Sequence, residues 1–121
     1  MADEAIKTES FLEGYVIFRQ GDIANNCYIL RSGEIELSRV DKDGNKVKFA
    51  TVTKGEILGE MSMILDMPRS ATATTTQKTE VAEITRDEFH VQIDRLNPFM
   101  SRLIKLIVQR LRDTTSDLTR G

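Results

Sequence analysis

Between residues 15 and 84 this chain repeats one unit: a short β-prone run, then a turn built on glycine or a polar cluster. Tyr15-Val16-Ile17-Phe18 stops at Gln20-Gly21-Asp22, and Cys27-Tyr28-Ile29-Leu30 is closed by Ser32-Gly33. Ile35 and Leu37 alternate with Glu36 and Ser38, the period-two pattern of a half-buried strand. The polar loop Asp41-Lys42-Asp43-Gly44-Asn45 signals a hairpin leading into a strand near 46–52. Further strands are expected at 71–76, where a threonine-rich patch suits β structure, and at 81–84. Short strands at near-regular spacing cannot build a helix bundle. They predict a closed or rolled antiparallel sheet.

The period changes after residue 84. Thr85-Arg86-Asp87-Glu88 has the capping-box arrangement, a threonine with a glutamate three residues on, and predicts a helix running to about Leu96. Asn97-Pro98 then reads as a cap followed by proline at the first helical position. The second helix should reach about Leu118, with Phe99, Leu103, Leu106, Ile107 and Leu111 on one apolar face. That face can pack on the sheet or against a second subunit. The expected architecture is mainly β with α: an antiparallel β-roll or jelly-roll-like barrel over about 15–84, followed by C-terminal helices over about 86–118. A chain of 121 residues suits one such domain, spanning 1–121.

Composition narrows the chemistry. A net charge of −2 argues against general affinity for nucleic acid, although a basic surplus (Arg102, Lys105, Arg110, Arg112, Arg120) marks the C-terminal helix. No apolar run approaches the roughly 18 residues of a membrane-spanning helix, and the acidic, polar start does not read as a secretory signal. The lone cysteine, Cys27, cannot form an intrachain disulfide, which fits a cytoplasmic location. His90 is the only histidine, so a multi-histidine metal site of the cupin kind is excluded, and no local motif supports a Cys27–His90 nucleophile pair.

The segment richest in chemistry is Gly55 to Ala71. Gly59-Glu60 opens a short helical stretch that Pro68 prevents from continuing smoothly. A helix start leaves unpaired backbone N–H groups suited to an anion, phosphate above all. Arg69 offers a cationic fork for phosphate oxygens, and Gly59 permits close approach of the backbone. Glu60 would repel an anion unless it served another purpose, such as accepting a hydrogen bond from a sugar hydroxyl. Taken together, these residues suggest a ligand carrying both phosphate and ribose.

Gly59-Glu60-Met61-Ser62 followed by Pro68-Arg69-Ser70-Ala71 resembles the phosphate-binding cassette of the cyclic-nucleotide-binding domain family. Upstream, Phe18-Arg19-Gln20-Gly21-Asp22, Tyr28-Ile29-Leu30 and Ser32-Gly33-Glu34-Ile35-Glu36-Leu37 resemble the same family in the same order. The resemblance covers roughly residues 15 to 111 and implies a short helix within the cassette. It implies that Glu60 accepts the ribose 2′-hydroxyl, assisted by the backbone at Gly59. Met61 and Ser62 would give backbone N–H groups to the phosphate, Arg69 would pair with its charge, Ser70 would add its hydroxyl or amide, and Ala71 would line the pocket. Phe49 and Ala50 are weaker candidates for contact with the base. The helix after Pro98 would act as a lid, with Arg102, Arg110 and Thr114 as candidates to meet the purine.

The resulting expectation is a cyclic nucleotide sensor and regulatory module, not an enzyme, with cyclic AMP favoured over cyclic GMP and no cofactor or metal. Binding would reposition the C-terminal helix, which could also serve a homodimer or an effector domain. Too little sequence follows residue 118 for a helix-turn-helix, so no direct DNA binding is expected. The alternative is a degenerate roll serving as a structural or oligomerisation domain without ligand.

Overall fold

The structure, a computed structural model, describes residues 6–119, with side chains at 7–111 and 113. The described residues form eight strands: β1 (Ile6–Phe11), β2 (Val16–Phe18), β3 (Asn26–Ser32), β4 (Ile35–Val40), β5 (Lys46–Val52), β6 (Ile57–Leu58), β7 (Thr72–Thr75) and β8 (Thr79–Thr85). A short helix, α1 (Glu60–Ile64), lies between β6 and β7, and α2 (Arg86–Asp94) and α3 (Pro98–Thr119) follow the last strand. The strands form two four-stranded sheets, ordered β1-β8-β3-β6 and β2-β7-β4-β5, in which every pairing is antiparallel. This is the mainly β roll with C-terminal helices that the strand spacing predicts.

The core lies between the sheets. Tyr28 and Leu30 from β3, Ile35 from β4, Val52 from β5, Leu58 from β6, Ala73 from β7 and Val81 from β8 form one buried cluster, with Phe11, Ile17, Phe18 and Leu37 packed at its margin. A second cluster joins Ala24, Cys27 and Met63, flanked by Ile84 and Phe89. Met63 is fully buried and is the anchor of α1. Burying such a side chain contributes about 1.5–3 kcal/mol, enough to pin a five-residue helix that could not persist alone.

Local signals account for the turns and caps. In the β4–β5 hairpin the Asp41 carboxylate accepts from the amides of Asp43 and Asn45, each at 2.9 Å. The amide of Glu88 donates to Thr85 Oγ1 at 3.2 Å, capping α2, and the amide of Phe99 donates to Asn97 Oδ1 at 2.8 Å at the start of α3.

Two differences from the sequence expectation stand out. The roll begins with β1 rather than near residue 15. As the outer strand of its sheet β1 needs little apolar character, so Lys7, Thr8, Glu9 and Ser10 give no strand signal although they pair along β8. One fixing contact is distant in sequence, Lys7 with Glu83 at 3.7 Å, and one is local, Phe11 stacked on Tyr15 at 4.6 Å. The second difference is β6, two residues that pair with Tyr28 and Ile29 and lead directly into α1.

Candidate functional site

A cavity of about 220 Å³ opens between the β4–β5 region and the segment around α1. Gly59, Glu60, Met61, Ser62, Arg69, Ser70 and Ala71 all line it, so each cassette residue singled out in the sequence faces one shared space. Phe49 lines it too. Ala50 does not: it stays in the ladder opposite Leu37, whereas Phe49 is the residue skipped where the register shifts from Leu37↔Ala50 to Ser38↔Lys48. A bulge re-aims the side chain that loses its ladder partner. Phe18, Leu37, Arg39, Ile57 and Leu58 complete the wall.

Arg69 is the centre of the arrangement, only 4% exposed. Its Nη1 donates to the Gly59 carbonyl at 3.1 Å, and its Nη2 donates to the Asn26 carbonyl at 2.7 Å and to Asn26 Oδ1 at 2.9 Å. The guanidinium lies 4.1 Å from the centre of the Phe18 ring, a cation–π contact that leaves its edges for hydrogen bonds. Its backbone is clamped as well, since the Arg69 amide donates to the Asp22 carbonyl and the Gly21 amide donates to the Arg69 carbonyl, both at 2.8 Å. Arg69 Nε is buried and has no hydrogen-bond partner among the described residues. An orphaned N–H on a buried cation is costly unless some acceptor reaches it. Burial holds the guanidinium below its ordinary pKa.

Gly59 is demanded twice. Its φ of +86° is the left-handed region, and a Cβ there would stand 2.4 Å from Arg69 Nη1. Glu60 follows as the first residue of α1, half-buried, and that burial raises its carboxyl above the ordinary range, with its own backbone hydrogen bond and Arg69 opposing the shift. The buried Ser62 hydroxyl donates to the Pro68 carbonyl at 3.3 Å and the Met67 amide donates to the Ser62 carbonyl at 3.0 Å, folding the cassette back on α1. The bend itself runs through Asp66, which has a φ of +56° and pairs with Arg86 of α2 at 2.7 Å. Arg86 also donates from Nε and Nη2 to the Ala24 carbonyl, tying α2 to the loop that clamps Arg69.

Cys27 and His90 do not read as a catalytic pair. Cys27 is fully buried, and desolvation followed by the Glu60 charge pushes its thiol up to about 11. His90 instead sits beside Arg86 and Phe89.

Some of the site escapes sequence reading. Asn26 is visible only as the residue before a strand, yet it holds Arg69. Arg39 and Leu37 share a face of β4 by period-two alternation, and that pattern was the available signal for them. Among the described residues none of α3 lines this cavity, so the expected lid is not seen over it; Arg102 and Arg110 are exposed, and the Thr114 side chain lies outside the described residues. Instead α3 packs against α1 and α2, leaving Phe99 70% exposed and Leu106, Ile107 and Leu111 open as well. Among the described residues no helix is long and apolar enough to cross a membrane.

A model of a protein family described as "Cyclic nucleotide-binding domain" matches residues 8–95. A cAMP-dependent protein kinase regulatory subunit from Blastocladiella emersonii is 30% identical over 99 residues, covering 82% of this chain and 25% of its own length. A cyclic AMP receptor protein from Thermus thermophilus is 33% identical over 106 residues, covering 88% of this chain and 49% of its own length. Among solved structures, the catabolite activator protein of Thermus thermophilus superposes with a TM-score of 0.79 at 31% identity, covering 97% of this chain and 55% of that one. The chain thus spans about half or less of the curated relatives described here. Their names describe regulatory and receptor proteins rather than catalysts.

Proposed function

This chain belongs to the cyclic nucleotide-binding domain family, and we propose that its cavity captures a cyclic nucleotide, cyclic AMP above cyclic GMP, as the input of a regulatory module. The observation that carries this reading is the buried Arg69, its Nε without a partner, in the same cavity as Glu60. A cyclic phosphate supplies the acceptor that Nε lacks and neutralises the desolvated guanidinium in a charge-assisted pair. Backbone N–H groups of Met61 and Ser62 and the hydroxyl or amide of Ser70 complete the anion site, while Ala71 keeps the wall close. Glu60, as a carboxylate, accepts the ribose 2′-hydroxyl, and Gly59 lets the sugar approach the backbone. Phe49 offers an aromatic surface to the base. The names of the relatives, which refer to cyclic AMP, support adenine as the preferred base.

The output runs through the helices. α3 packs on α1, the cassette helix, so a ligand that draws α1 inward biases the position of α3. The exposed apolar face of α3 is then free to meet an effector domain or a second copy. In this reading the module works in the cytoplasm, without catalysis and without direct contact to DNA. Calorimetric titration of the ligand-free chain with cyclic AMP and cyclic GMP tests it. Saturable binding is expected. A flat titration with both, on folded protein, would instead assign the roll a structural or oligomerisation role.

A further inference from the structure

The hold on Arg69 continues past the cavity wall to a carboxylate on the core face of the sheet. In β8, Glu83 stands opposite Tyr28 of β3 and Lys7 of β1. Directly paired residues share a face, and Tyr28 belongs to the buried core, as does Val81 two residues before Glu83. Glu83 therefore points inward, with its side chain only 12% exposed. A carboxylate so placed is costly unless it is paired and hydrogen-bonded. Lys7 lies 3.7 Å away but is itself 71% exposed, and such an ion pair contributes little. Glu9 of β1 shares a hydrogen bond with Glu83, and that bond, followed by burial, raises the Glu9 carboxyl above its ordinary range. The third partner is Asn26, whose Nδ2 donates to Glu83 Oε2.

Asn26 has two unlike ends. While Nδ2 meets Glu83, Oδ1 accepts from Arg69 Nη2 at 2.9 Å, beside the Asn26 carbonyl, which accepts from the same Nη2 at 2.7 Å. A carboxylate only accepts, and a guanidinium only donates. The two neighbours thus demand one orientation of the amide. Turned end for end, it would set a donor against Arg69 and an acceptor against Glu83. Neither Glu83 nor Asn26 lines the cavity, so any part they play is support and not contact. We propose that Glu83 is a positioning residue for the ligand site: through the Asn26 amide it holds Arg69 Nη2 in place and so leaves Nε for the phosphate. This rests on the cyclic-nucleotide reading of the same cavity.

The test is a calorimetric titration with cyclic AMP and cyclic GMP of the full chain, Glu83→Met, Glu83→Ala, Glu83→Gln, Asn26→Ala and the double variant Glu83→Met/Asn26→Ala. Near-ultraviolet circular dichroism reports whether each keeps its packing. Methionine and alanine remove the acceptor and should each lower affinity by about tenfold, a coupling typical of one hydrogen-bond network. Glutamine can still accept from Asn26 Nδ2 and should bind nearly as the parent does. With Asn26 already removed, Glu83→Met should add no further loss, whereas a merely structural role would add its full loss again. Affinity unchanged by methionine and alanine, an equal loss in glutamine, or independent losses in the double variant would overturn the role of Glu83 while leaving the cavity's function standing. The parent supplies a check that needs no variant. In its NMR spectrum the Asn26 side-chain amide should show one strongly shifted, slowly exchanging proton, and two freely exchanging ones would overturn the proposal. A parent chain that binds neither nucleotide would overturn this role together with the reading beneath it.

Discussion

Replacing Gly59 with alanine should disturb the site through a side chain ten residues away. The added Cβ would stand 2.4 Å from Arg69 Nη1, and ordinary contact begins near 3.4 Å, so the guanidinium must retreat by about 1 Å. That retreat breaks the 3.1 Å bond to the Gly59 carbonyl. Hydrogen bonds to charged groups contribute about 1.5–3 kcal/mol, and holding alanine in the left-handed region costs about 1–2 kcal/mol more. Gly44, at the tip of the β4–β5 hairpin, separates the two effects: its φ is +84° and a Cβ there meets nothing within 4 Å. Gly44→Ala should show the backbone cost alone, a drop of about 4–8 °C in Tm, with ligand affinity intact. Gly59→Ala should lose more stability and at least tenfold in affinity for cyclic AMP, about 1.4 kcal/mol. Urea unfolding and calorimetry measure both. Equal losses of stability in the two variants, with cyclic AMP bound normally by Gly59→Ala, would refute the claim that Gly59 and Arg69 position one another.

Three further outcomes follow from the same geometry. Arg69→Ala should cost about 2–5 kcal/mol of binding free energy in calorimetry, since it leaves a buried phosphate without its charged partner. Glu60 gives a pH signature: burial raises its carboxyl, so between the unfolded and folded values the native state holds a proton that the unfolded chain has released, and stability falls as pH rises through that window. Glu60→Gln should therefore be more stable than the parent near neutral pH, with the gap closing on acidification, whereas Glu60→Ala should lose the preference for cyclic AMP over its 2′-deoxy analogue. Cys27, fully buried with its thiol pushed up to about 11, should resist an aromatic disulfide reagent in the native chain and react promptly in urea.

What could be read from the sequence was whatever is decided locally. The Asp41 turn, the Thr85 cap and the Asn97-Pro98 start are each governed by groups within a few residues, and each forms as expected. The cassette was legible for the same reason: Gly59, Glu60 and Arg69 stand close enough in sequence to reveal a shared chemistry. What stayed hidden is set by pairing between distant strands. β1 is polar because an edge strand can be, and its partner strand lies about seventy residues away. Arg39 and Asn26 reach the site only through the register of β4 with β7 and β3 with β8. The bulge that selects Phe49 over Ala50 belongs to the β4–β5 ladder, and no residue type announces it. The apolar face of α3 was plain from its periodicity, but spacing alone does not say what a face covers, and here it lies open.

The most direct measurement is a crystal structure of the chain with cyclic AMP. The account predicts the cyclic phosphate within hydrogen-bond distance of Arg69 Nε and the ribose 2′-oxygen on the Glu60 carboxylate. A ligand seated outside this cavity, or one inside it with its phosphate turned away from Arg69, would contradict it.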